Sequence, residues 1–336
     1  MTDTTTQAVL AVAQAQQAAH TPHMPDTMPM AGEWMPGGDI TEWPTIREEI
    51  LTNMAKNPRG LQKTIGPSEL GTTCLNCLAR KLTWLDDPHG DTAWLPFIGT
   101  AVHARFEEMF TPYDRYLPEY KVTVGTLTGP TTGSMQSITG SIDLYDTATG
   151  TTIDWKIVGN STLDNVRRHG PSQQYKVQAS LYGIGINNDP AIKGNAQRSC
   201  IYFLPRNQPT LDAAVIYETS FDPQPGMWAL NRAQTILSLY GVISSEYGAD
   251  TARQWVNALP KDPQHCFHCR DLAMNRRTPD NIATLIGTDT GTDMDDTRQQ
   301  LADRLPAMPR ALLKVPQAEY RPQPTSIPKK DKETQS

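Results

Sequence analysis

Residues 151–158, TTIDWKIV, constrain the fold more than any other stretch of this chain. They are rich in β-branched and aromatic side chains and read as a strand. Side chains alternate across a strand, so Asp154 and Lys156 share a face with Thr152 and Val158. Ile153, Trp155 and Ile157 take the other face and point into a core. An acid and a lysine two residues apart on such a strand carry a desolvation cost unless they pair or serve a site. The preceding apolar stretch, 136–146 (QSITGSIDLYD), sets Asp143 between Ile142 and Leu144, and a turn around Thr149-Gly150 joins the two. Paired as an antiparallel hairpin, these strands bring Asp143 and Asp154 within reach of one ion. Two carboxylates from neighbouring strands suit a hard divalent cation such as Mg²⁺. Lys156 beside them could stabilise developing negative charge or orient water. The D-x-K triplet by itself is common, and alone it reads as an ordinary ion pair on a hairpin.

The surrounding pattern places that hairpin in an α/β context. Residues 67–84 and 99–110 read as helices, 119–128 (EYKVTVGTLT) as a strand ahead of the hairpin, and 171–186 as a helix after it. Strands at 198–204 and 213–219 and a long helix at 226–246 follow. Helix, three strands, helix, strand is the pattern of a mixed sheet flanked by helices. Residues 1–44, rich in Thr, Gln, Ala, Pro and Met, and residues 276–336, rich in Pro, read as largely disordered. The folded domain is expected over 45–275.

Charge and hydropathy exclude some functions. No run approaches the roughly 18 uncharged apolar residues of a membrane span. With no Lys or Arg before Arg47, a secretory signal is not expected, and the compartment reads as cytoplasmic, in a bacterial host. The net charge of -6 argues against holding nucleic acid by bulk charge. Residues 1–60 carry 7 acidic and 3 basic residues, which leaves room for a basic groove elsewhere. No G-x-x-x-x-G-K-[ST] occurs, so ATP hydrolysis by a P-loop is not expected.

Three further features bear on chemistry. His103 and Glu107 sit one helical turn apart, as do Gln178 and Tyr182. Either pair alone is ordinary. The five cysteines include two C-x-x-C pairs, Cys74/Cys77 and Cys266/Cys269, separated by 188 residues. Four thiolates so arranged can hold tetrahedral zinc or an iron–sulfur cluster, and either would staple the N-terminal helix to the C-terminal end. His265 and His268 could replace a ligand of zinc. Cys200 lies in an apolar strand and reads as a core residue.

In order, G-x-x-x-H (99–103), G-x-I-D (140–143), D-W-K (154–156) and Q-x-x-x-Y (178–182), bracketed by cysteines, resemble the RecB-type branch of the PD-(D/E)XK nuclease superfamily. The set is most similar to the CRISPR-associated iron–sulfur exonuclease family and its relatives in actinobacterial phages, over residues 66–270. The resemblance implies a restriction-endonuclease-like α-β-β-β-α-β core and a metal-dependent exonuclease acting on single-stranded DNA or duplex ends. It makes His103, Asp143, Asp154 and the backbone carbonyl of Trp155 ligands of Mg²⁺ or Mn²⁺, with Lys156 assisting the attacking water. Gln178 and Tyr182 would position the lysine or the DNA backbone, and Glu107 and Glu119 are candidate extra carboxylates. Arg167, Arg168 and Lys176 are candidate phosphate contacts. Cys74, Cys77, Cys266 and Cys269 would hold a 4Fe-4S cluster, although that family usually divides its cysteines one and three. A recombination or helicase partner would supply any motor. A structure-specific endonuclease and a non-catalytic DNA-binding adaptor are the alternatives.

Overall fold

A computed structural model describes residues 43–55, 65–85, 94–130, 134–262 and 318–322. Helix α1 (Trp43–Ala55) belongs to a separate unit of the chain. The main unit runs α2 (Pro67–Leu70), α3 (Leu75–Leu82), α4 (Trp94–Phe110), β1 (Tyr116–Thr128), β2 (Met135–Asp146), β3 (Thr151–Val158), α5 (Asn160–His169) and α6 (Gln173–Asn188). It continues with β4 (Arg198–Pro205), β5 (Val215–Ser220), α7 (Gln224–Tyr247) and α8 (Ala249–Ala258).

The five strands lie in sequence order in one mixed sheet. Strands β1, β2 and β3 are antiparallel neighbours, β3 and β4 run parallel, and β5 is antiparallel to β4. The parallel step requires a crossover, and α5 and α6 supply it. This is the mixed α/β architecture expected from the strand and helix order. No described helix is long and apolar enough to cross a membrane.

Hydrophobic burial fixes which helix covers which face. Val122, Val124, Ile138 and Ile142 pack with Val177, Leu181 and Ile186 of α6 and Ala233, Ile236 and Leu237 of α7. Val158, Ile201 and Phe203 pack with Leu163 and Val166 of α5 and Ala179 of α6. Leu144, Trp155 and Leu204 form a third cluster with Phe106 and Phe110 of α4. Trp155 sits 5.4 Å from Phe106, edge to face, and 6.1 Å from Phe110, stacked. Large aromatic side chains in these geometries dominate local packing energy, so α4 is clamped onto β3 through them.

One local expectation is corrected. The helix expected over 67–84 is two helices, interrupted at Gly71. That glycine lies so close to α6 that a Cβ there would meet Gln174 Cα at 2.7 Å and Val177 Cβ at 2.9 Å. Cys74 is therefore the extended N-cap of α3 and Cys77 lies within its first turn, not one turn along a continuous helix. Residues 160–169, which carry Arg167 and Arg168, form a helix bracketed by Gly159 and by Gly170 at φ +75°. Cys266, Cys269, His265 and His268 fall outside the described residues, as does most of the Pro-rich region; residues 318–322 are described, with Ala318 buried.

Candidate metal centre

Helix α4 delivers the first candidate ligand. His103, Phe106 and Phe110 recur at helical spacing, and the two phenylalanines anchored on Trp155 hold His103 over β2. Its Nδ1 lies 3.2 Å from Asp143 Oδ1 and 3.7 Å from Glu119 Oε1. One ligand atom each from His103, Glu119 and Asp143 lie within 4.8 Å of one another. His103 Nδ1 is buried, and these two carboxylates are its ion-pair partners. Burial would lower the His103 pKa, but Asp143 and Glu119 outweigh it and raise it to about 9. The imidazole therefore stands where positive charge is wanted.

Asp143 reaches the site because β2 breaks its alternation. Ile142 and Tyr145 both belong to the large core, whereas Leu144 joins the cluster on the opposite face. The β2–β3 ladder ends at Leu144 and Ile153. Beyond it, Asp143 Oδ2 accepts the Trp155 N–H at 2.7 Å. In a strand the N–H and C=O of one residue face the same side, so the Trp155 carbonyl also turns toward the Asp143 edge. On β1, Pro118 pairs with Leu144 and Tyr120 with Ile142, which sets Glu119 opposite Asp143. Glu119 is held at φ +47°. A non-glycine residue in that region stores about 1–3 kcal/mol of strain and marks sites the surroundings over-determine.

Asp154 and Lys156 occupy the adjoining position. Lys156 Nζ lies 2.6 Å from Asp154 Oδ2 and donates to Gln178 Oε1 at 2.9 Å. Gln178 Nε2 in turn donates to the Tyr182 hydroxyl at 3.0 Å, and both residues are buried. The spacing expected on α6 thus becomes a hydrogen-bonded chain inside the protein. Asp154 is 2% exposed; Lys156 holds its Oδ2, and its Oδ1 has no hydrogen-bond partner among the described residues. Burial pushes the Asp154 carboxyl upward against the pull of Lys156, with Asp143 adding to the rise. Burial would lower Lys156, and the charges of Asp154 and Asp143 hold it up. Burial, then Asp154 and Asp143, also raise the Tyr182 hydroxyl, so it stays protonated.

These groups pass a donor-set test for a divalent cation. The buried Asp154 Oδ1, without a hydrogen-bond partner among the described residues, is costly unless something positive joins it. Oxygen ligands with one imidazole suit Mg²⁺ or Mn²⁺. Asp154 lies outside the tight His103–Glu119–Asp143 group, tied to Lys156. Glu107, one turn beyond His103, is exposed and not among the grouped ligands. Glu119, weighed from the sequence only as an extra carboxylate, is central. The signal that could have marked it is Pro118: proline inside a strand points to an irregularity. Arg167, Arg168 and Lys176 are exposed, and Arg167 is committed to Asp164 (3.1 Å) and the Ala213 carbonyl (2.6 Å).

No known family model matches the sequence, and no curated protein matches it. Among solved structures, one described as the crystal structure of SSO0001 aligns at a TM-score of 0.42 and 13% identity, covering 67% of this chain and 93% of that one. A likeness at that level does not establish a shared fold.

The glycines of the two motifs differ in purpose. At Gly140, in G-x-I-D, a Cβ would lie 2.7 Å from Pro67 Cγ and 3.2 Å from Tyr182 Cε1. That glycine is the space in which Tyr182 sits. Gly99, in G-x-x-x-H, has nothing among the described residues within 4 Å of a Cβ position.

Proposed function

We propose that the chain is a divalent-cation-dependent nuclease of the RecB-type PD-(D/E)XK class, acting on DNA ends or single strands. The observation that carries this reading is Asp154: a buried carboxylate paired through Oδ2 to Lys156, its Oδ1 without a hydrogen-bond partner among the described residues, beside the His103–Glu119–Asp143 group. His103, Glu119 and Asp143 would hold Mg²⁺ or Mn²⁺, and Asp154 and the Trp155 carbonyl are further candidate ligands. A cation so bound would polarise a phosphate and lower the pKa of an attacking water. Lys156, fixed by Asp154 and Gln178, would direct its ammonium at the charge that develops on the phosphate. Gln178, locked to Tyr182, would keep that ammonium from rotating away. The restriction-endonuclease-like core belongs to this reading, supported by the three antiparallel strands, the α5–α6 crossover and the parallel fourth strand.

The cysteine cluster, 4Fe-4S or zinc, is also part of the reading. Thr73, next to Cys74, hydrogen-bonds Asp262, and Asn76 N–H bonds the Pro260 carbonyl at 3.0 Å. Cys266 is four residues beyond Asp262, and four residues span at most about 14 Å. The two C-x-x-C pairs are thus within reach of each other by chain length.

The test is cleavage of end-labelled linear and circular DNA with Mg²⁺ or Mn²⁺, with iron and zinc quantified in anaerobically purified protein. Linear strands should be degraded, circles should survive, and chelation should stop the reaction. Absence of cation-dependent cleavage in the native protein overturns the reading. Cleavage of circles would make it an endonuclease.

A further inference from the structure

The short described segment at 318–322 is docked through its backbone. The Ala318 carbonyl accepts from Arg232 Nη1 at 2.9 Å and from Gln173 Nε2 at 3.0 Å. Two residues on, the Tyr320 N–H donates to Gln173 Oε1 at 2.7 Å. One glutamine amide thus reads both edges of a single stretch of chain. The Tyr320 ring lies 5.7 Å from Trp228, whose face carries the Arg232 guanidinium at 4.2 Å.

Arg232 is 2% exposed, and among the described residues no carboxylate pairs with it. Arginine does not give up its proton in proteins, so this is a buried cation. Its charge is met by Trp228, by the Ala318 carbonyl and by the Leu70 carbonyl at 2.5 Å. Desolvating such a group without its acceptors is costly, so residues 318–320 complete the site around it.

The same contacts lead to the metal centre. Gln173 is the first residue of α6, and its Nε2 also donates to the Gly71 carbonyl at 2.9 Å. Gly71 abuts Gln174 and Val177. The next residue is Gln178, which holds Lys156. Helix α6 is the common element: its start is clamped by the segment, and its second turn orients the lysine.

We infer that residues 318–320 are a positioning element for Lys156, acting through Gln173 and the first turns of α6. The inference rests on the nuclease reading for its catalytic meaning, while the mechanical coupling stands on the contacts alone. Tyr320→Pro in the full chain removes the N–H that Gln173 accepts. Tyr320→Phe keeps both the N–H and the ring. Amide hydrogen exchange and steady-state cleavage are measured on both.

Tyr320→Pro should speed exchange across Gln173–Tyr182 while leaving β5 unchanged, and Tyr320→Phe should match the native protein. Cleavage by Tyr320→Pro should fall about tenfold in kcat with KM within about twofold, the signature of a displaced catalytic group rather than lost binding. Unchanged exchange in Gln173–Tyr182, or faster exchange across the whole sheet, overturns the coupling. Faster local exchange with unchanged kcat overturns the catalytic meaning. Native protein that exchanges as expected but cuts nothing overturns the nuclease reading instead.

Discussion

Asp143 takes the place of a strand: its carboxylate accepts the Trp155 N–H at 2.7 Å where β2 has stopped pairing with β3. One side chain thus closes the sheet edge with one oxygen and faces His103 with the other. Asp143→Asn keeps an acceptor for Trp155 and removes the charge. Calorimetry should show Mn²⁺ affinity falling at least about tenfold, with little change in melting temperature. Asp143→Ala should add a stability loss of about 1–3 kcal/mol, because a buried donor is orphaned. Equal stability in the two variants would contradict the bridging role.

Lys156 and Asp154 form a buried pair, and each needs the other. Lys156→Ala should cost about 3–5 kcal/mol in denaturant unfolding, since it abandons a buried carboxylate. The double variant Asp154→Asn/Lys156→Met should recover most of that loss while remaining inactive. Additive losses in the double variant would show that the two groups do not compensate each other's burial.

A nitrogen ligand favours the softer, later metal of the two candidates. His103→Ala should therefore weaken Mn²⁺ binding more than Mg²⁺ binding, measured as competing isotherms. Equal losses for both ions would place His103 outside the coordination sphere.

Acid stability should carry the mark of Asp146. Arg115 grips it through two short bonds, 2.7 and 2.6 Å, and lowers its pKa from 3.8 to about 2. A depressed carboxyl contributes stability above its unfolded pKa and loses it as pH falls through the folded one. Unfolding free energy should thus decline between about pH 4 and pH 2, and Asp146→Asn should flatten that slope. An identical slope in the variant would remove the pair as its cause.

The motif glycines should respond in opposite directions. Gly140→Ala should destabilise by about 1–3 kcal/mol, since its methyl meets Pro67 and Tyr182. Gly99→Ala, in an open helix interior, should stabilise by about 0.5–1 kcal/mol. Thermal melts decide both.

Much of this was legible in the residues. The TTIDWKIV strand carries its own alternation, so the common face of Asp154 and Lys156 could be read directly, and β3 runs Thr151–Val158 as expected. Gln178 and Tyr182 were placed on one helix face by spacing alone. The turn at Gly150, with φ +64°, was marked by its glycine. What could not be read arises from events against the local pattern. Glu119 enters the site because β1 is irregular beside Pro118, and alternation gives no warning of that. Glu107 obeys the same one-turn rule as Tyr182 yet stays in solvent, because Phe106 and Phe110 set the rotation of α4. The helix at Asn160–His169 has a polar sequence, and its two buried residues, Leu163 and Val166, are too few to announce it.

Asp262 bonds Thr73, and the Ala318 carbonyl shares Arg232 with Leu70 and Gln173 with Gly71. Both are thus moored to one short stretch of the N-terminal half. A change anywhere between Leu70 and Thr73 therefore reaches both contacts at once.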